Sequence, residues 1–298
     1  MSTRVGYIAM LVAMGLGWGA TQPMGKIAVS TGHRHFGLIF WQLVVGVLLL
    51  GAILIVQRKT IPVTKDTLGF AVIIALIGTI IPNSTFYYSV VHLPSGIMSI
   101  LISTVPLMAF PVAMMLGMDR FSAGRLVGIL FGLAGVALIA LPSAGLPDAG
   151  MAAYLPIAMI GPLFYAVEGN YVARFGTAGM DAVQAMCLAS IIGAVIMLPV
   201  AVGSGQWIDP TAPWGRAEWA LVLASAVHTM CYCAYVWLAG RAGAVFAAQC
   251  SYIVTGTGVI WAMLILGERF SGWVWAALAV MLLGLFLVQP RTRATNAA

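Results

Sequence analysis

The sequence predicts an all-α polytopic membrane protein, with ten transmembrane helices in two inverted five-helix repeats. Three observations predict it: the composition, the run of long apolar segments, and an internal repetition. Of 298 residues, 62% are hydrophobic and 7% charged. A soluble domain carries roughly 25% charged residues, so this chain cannot clothe a water-facing surface, and a water-soluble enzyme is excluded. Disorder is excluded as well, because it needs low hydrophobicity and high charge. A membrane barrel would show alternating strands of about 10 residues in place of long apolar runs.

A membrane-spanning helix needs about 20 mostly apolar residues. Runs of that kind occur at Val5–Val29, Phe36–Val56, Leu68–Val90, Gly96–Gly117 and Leu126–Leu141. After a Pro/Gly/Asp linker they resume at Ala152–Ala173, Val183–Val202, Trp219–Leu238, Ala244–Leu266 and Gly272–Val288. The connections are short, so function must be carried out within the membrane. The first run is long and reaches no plausible cleavage site, so it reads as a retained helix. Cys187, Cys231, Cys233 and Cys250 lie in apolar stretches and read as small packing residues, with no disulfide framework.

The net charge of +6 would raise nucleic acid as a partner in a soluble chain. Here the bases sit in short loops, and membrane topology accounts for them. With the N-terminus cytoplasmic, that side receives Arg4, Arg58, Lys59, Lys65, Arg120, Arg125, Arg174, Arg241, Arg291 and Arg293. The other side receives Lys26, Arg34, Arg216 and Arg269. The bias places both termini in the cytoplasm. Trp207, Trp214, Trp219 and Trp273 stand near span ends as interfacial anchors.

Asp119-Arg120-Phe121-Ser122 follows the fourth span, and Glu268-Arg269-Phe270-Ser271 follows the ninth, 149 residues on. At nearly the same offset Tyr88 matches Tyr235, and Gly135 matches Gly284. The chain therefore divides into a first repeat, 1–145, and a second, 146–298, within one integral membrane unit. Five is odd, so the second repeat enters the membrane with opposite orientation. Inverted repeats of this kind place a site near the midplane between the halves, and alternating access follows from exchanging their conformations.

The chain resembles the drug/metabolite transporter superfamily, specifically its ten-helix EamA-type members. The residues that carry the resemblance are Gly17-Trp18-Gly19, Pro106, Asp119-Arg120-Phe121, Leu266-Gly267-Glu268-Arg269 and the Gly284-containing last span. Two positions depart from that pattern: Thr255-Gly256-Thr257-Gly258 stands where a proline is usual, and Asp119 where Glu is usual. The resemblance implies an inner-membrane secondary transporter without a cofactor, often an exporter of amino acids or other small metabolites.

Polar groups at membrane depth mark the candidate site, since an ionisable side chain there costs roughly 2.5–3.5 kcal/mol on insertion scales. Glu168 is the clearest, with Phe164 and Tyr165 one turn before it. It reads as a proton-coupling or cation-binding carboxylate, against a structural partner for a buried base. Trp18 and Gln22 share a face of the first span; Lys26 reads as snorkelling outward. Asn83 and Tyr87 mark the third span, Ser103 the fourth, His228 and Tyr232 the eighth, and Gln249 and Tyr252 the ninth. These ten residues without Lys26 are the candidate substrate-binding set, against a background reading of interhelical hydrogen bonds. Gly124, Gly128 and Gly132 form a stripe for close helix approach, within a subunit or between subunits, so monomer and homodimer both stay open.

The function expected is secondary export of an amino acid or related amphipathic metabolite, with the bilayer as surroundings and protons as a candidate coupling ion. The alternatives are an intramembrane enzyme and a channel. An enzyme needs a nucleophile–base pair or clustered metal ligands at depth. Of His33, His35, His92 and His228, only His228 is deep, and no metal is expected.

Overall fold

The computed structural model describes residues 3–140, 146–242, 246–247 and 249–288. The linker expected at 141–150 and the bases Arg291 and Arg293 fall partly or wholly outside them. Among the described residues the chain forms ten long apolar helices and no strand. They are α1 (Thr3–Ala28), α2 (His35–Val56), α3 (Lys65–His92), α4 (Ser95–Met115), α5 (Ala123–Ala140), α6 (Leu155–Phe175), α7 (Ala182–Gly203), α8 (Arg216–Ala242), α9 (Cys250–Leu266) and α10 (Gly272–Val288). The helix ends are set locally. Thr64 and Asp181 head α3 and α7 with reciprocal capping boxes, and Gly267 closes α9 at φ 66°.

Two helices depart from regular geometry for the same reason. Pro82 has no N–H to offer the carbonyl four residues back, at Gly78, and α3 widens into a π-helix over Ala75–Ile80. Pro106 likewise leaves the Ile102 carbonyl without its partner, and α4 breaks at Ser103. There the Ser103 and Thr104 hydroxyls donate to the Ile100 and Leu101 carbonyls, at 2.7 and 2.6 Å.

The packing repeats about a two-fold axis. α1 lies against α8 and α9, and α6 against α3 and α4; α2 touches α8 as α7 touches α3. The self-related pairs α2–α7 and α5–α10 close the arrangement. This is the arrangement two odd-numbered inverted repeats generate. Two glycines of the α5 stripe serve packing within the subunit: Gly128 and Gly132 meet Gly284 of α10, while a Cβ on Gly124 would have no neighbour within 4 Å among the described residues. A Cβ on Gly284 would lie 2.5 Å from the Gly128 carbonyl oxygen. Backbone cannot yield as a side chain can, so Gly284→Val should destabilise the fold by about 1–3 kcal/mol. A lowered thermal midpoint of the detergent-solubilised protein is the expected result, and an unchanged midpoint counts against this tight approach.

Candidate functional site

A cavity of about 970 Å³ runs between the repeats, with walls from both. α1 contributes Trp18 and Gln22, α3 Asn83 and Tyr87, α6 Tyr165 and Glu168, and α8 His228 and Tyr232. Seven of the ten residues singled out in the sequence therefore line one space. The other three do not. Ser103 is fully buried, with its hydroxyl committed to the Ile100 carbonyl at the break in α4. Gln249 and Tyr252 are half-buried, while Cys250, Ser251 and Val254 line the cavity in their place. The cavity-facing stripe of α9 is thus turned by about one residue, roughly 100°, from the stripe read in the sequence.

Glu168 is 5% exposed, and its Oε1 has no hydrogen-bond partner among the described residues. A helical Cα–Cβ bond leans toward the helix N-terminus, which carries this side chain from the last part of α6 toward the middle of the bundle. There the carboxylate lies against Gly78, in the π-helical stretch midway along α3, where any side chain would collide with it. Pro82, the widened turn and the bare backbone at Gly78 together make room for the acid.

The surroundings are neutral and aromatic. Tyr165, one turn before Glu168, donates to Asn83 Oδ1 at 3.4 Å, which leaves Asn83 Nδ2 unpartnered. Trp18 Nε1 donates to His228 Nδ1 at 3.2 Å, which fixes the imidazole proton on Nε2. The Trp18 ring also packs on Tyr232 and Tyr235, with centroids 6.3 and 5.8 Å away. Tyr87 donates to Gln42 Oε1 at 3.1 Å. Gln42 was not among the residues picked from the sequence; its signal was a lone amide in the most apolar span of the first repeat.

One end of the cavity is closed. Lys26 donates to the Val90 and Leu93 carbonyls at 3.1 and 2.6 Å, at the C-terminus of α3. This corrects the outward-snorkelling reading: a cation at a helix C-terminus is held by the last carbonyls. Glu268 accepts from Ser95 N–H at 2.8 Å, Ser95 Oγ at 3.0 Å and Gly96 N–H at 3.0 Å, at the N-terminus of α4. Both sides of the Leu93–Pro94 turn are therefore clamped, and buried Leu93, Ile97, Leu101, Val259 and Met281 seal the space beneath. The other end reaches exposed Ala173 and Arg241, on the side that carries the N-terminus of α1 and the C-terminus of α10. There the charged groups are occupied: Asp119 with Arg125, Asp181 with Lys59 at 2.6 Å, and Arg241 over the Trp237 ring.

Ten apolar helices in two related repeats around one central cavity define a multi-pass membrane transporter of small molecules. The sequence pattern of the EamA-like transporter family matches residues 5–141 and again 153–289. The chain belongs to that family. No curated protein matches it. A solved structure described as "Crystal structure of protein" is similar, with TM-score 0.64 and 18% identity over 95% of this chain and 96% of that one. At that identity the likeness speaks for the fold.

Proposed function

We propose that this protein is a secondary transporter that exports a small amphipathic metabolite by alternating access, with Glu168 as the proton-carrying group. It sits in the inner membrane with both termini cytoplasmic. The observation that carries the reading is the unpartnered Glu168 carboxylate in a cavity walled by both repeats. An unpaired acid at membrane depth is costly and is retained where an ion or substrate uses it. The closed end bears Lys26 and Glu268, and the open end bears the N-terminus of α1, the C-terminus of α10 and most of the described Lys and Arg. On the positive-inside bias, this conformation is open to the cytoplasm. Exchange of conformations between the two repeats would close that side and open the other.

Around Glu168 the acid–base neighbours on the packed helices are His228 on α8 and the hydroxyls of Tyr87, Tyr165, Tyr232 and Tyr235. The bases Arg125 and Arg241 lie at the open end. Proton binding at Glu168 is therefore free to alternate with substrate binding without a competing cation.

The test is flux in proteoliposomes with imposed pH and voltage gradients, screened across amino acids and small amines. Accumulation of a substrate against its gradient, driven by an opposing proton gradient, is expected. Equal fluxes with and without the gradient would make the protein a facilitator, and current without saturation would make it a channel.

A further inference from the structure

We infer that the cavity selects monocations that carry an amine next to a neutral hydrogen-bonding group on an apolar or aromatic body, and discriminates against zwitterions. This rests on the cavity being the substrate site. It narrows the amphipathic metabolite to a charge type.

Three buried polar atoms on the cavity wall lack partners among the described residues: Gln22 Oε1, Asn83 Nδ2 and Glu168 Oε1. Their side chains are 9%, 6% and 5% exposed, so bulk water does not satisfy them. A native interior seldom leaves three such atoms unpaired among the residues that line one cavity. Two of them are acceptors, one anionic, and they ask for a cationic N–H donor. The third is a donor and asks for a neutral acceptor. Tyr165 fixes the sense of the Asn83 amide by donating to its oxygen, so donor and acceptors are not interchangeable here.

Charge then separates an amine from an amino acid. The lining bases, Arg125 and Arg241, are at the open end and already engaged by Asp119 and Trp237. A substrate carboxylate at the depth of Glu168 would meet neutral donors only and would lie near a second carboxylate. Buried like charges without a cation are strongly disfavoured. An ammonium group finds the opposite among the lining residues: the Glu168 acid, the Gln22 amide, and the aromatic rings of Trp18, Tyr165, Tyr232 and Tyr235, a residue type that attracts cations.

Equilibrium binding to the purified full chain in nanodiscs tests this without reference to flux. Phenylalaninol is the monocation, phenylalanine the zwitterion with the same body, and phenylpropanol the uncharged form. Phenylalaninol should bind about tenfold tighter or better than either, the effect of one charge-assisted contact in a dry site. Glu168→Gln, shown folded by monodisperse elution and thermal unfolding, should lose that preference. Phenylalanine or phenylpropanol binding as tightly as phenylalaninol overturns the inference, as does an unchanged preference in Glu168→Gln. Absence of any binding by phenylalaninol and leucinol overturns it too. If the variant does not fold, the wild-type comparison decides alone. Amine binding without proton-driven flux would leave this inference standing and defeat the proton-coupled reading.

Discussion

Glu168→Gln should abolish the proposed proton-driven transport, with gradient-dependent flux falling to that of empty liposomes, while the protein still folds and inserts. The amide has nearly the shape of the protonated acid and cannot ionise. It therefore traps the carrier in one of the two states that coupling requires. Folding survives because Glu168 Oε1 has no protein partner to lose, so neutralising it removes an unfavourable buried charge and no contact. For an uncharged substrate, binding and downhill exchange are spared, because they need no change of charge. For a monocation, the charge-assisted contact at this position goes as well, and exchange weakens with it. Purified variant and wild type, compared in the same vesicles at opposed pH gradients, decide the matter. Undiminished proton-driven flux by the variant would reduce Glu168 to a structural role.

Much of this architecture can be read before any coordinates. Ten spans are visible because the hydrocarbon thickness sets one length for every crossing, and each span here is an apolar run of about that length. The repeat is visible because the motif Asp119-Arg120-Phe121-Ser122 returns as Glu268-Arg269-Phe270-Ser271. Glu168, Trp18 and Asn83 are visible because polar groups at depth are few. Other features depend on three-dimensional approach. Pro82 is plain in the sequence, but that α3 answers it by widening at Gly78, and so admits a carboxylate from α6, is settled by packing between helices. On α9 polarity does not mark the inward stripe: Gln249 and Tyr252 are the polar side chains, yet Cys250, Ser251 and Val254 line the cavity, because helix packing and not side-chain polarity sets the rotation. Ser103 stays out of the cavity because a hydroxyl at depth can bond its own helix, which a neighbouring proline makes the better use. Lys26 was misread because its carbonyl partners lie on another helix, 64 and 67 residues away.

On the proposed alternating access, removing the clamp on the Leu93–Pro94 turn should tip the transporter toward its opposite conformation. At the closed end the Glu268 carboxylate accepts three hydrogen bonds, two of them from backbone N–H groups at the start of α4. Hydrogen bonds to charged groups contribute about 1.5–3 kcal/mol each where water is excluded, and every 1.4 kcal/mol is a tenfold change in population. Glu268→Ala should thus raise the fraction open on the Lys26 side by about tenfold or more. Each member of the clamp has a counterpart in the other repeat. Arg174 stands as far into the second match to the family pattern as Lys26 into the first, and Asp119 opens in the first repeat the motif that Glu268 opens in the second. In this conformation Arg174 is exposed and Asp119 is turned onto Arg125, so the counterpart clamp is open while the first is shut. Alternation of two such clamps requires that Asp119→Asn act in the opposite sense, holding the protein in the present conformation. The readout is labelling of Met98→Cys, a cavity position beneath the closed end, by an impermeant maleimide from outside intact cells. The four native cysteines are replaced first, as each is buried and Cys250 lines the same cavity. Labelling should rise with Glu268→Ala and fall again when Asp119→Asn is added. Equal labelling in all three backgrounds would mean that neither carboxylate governs access, and that the seal of Leu93, Ile97 and Leu101 alone holds that end shut.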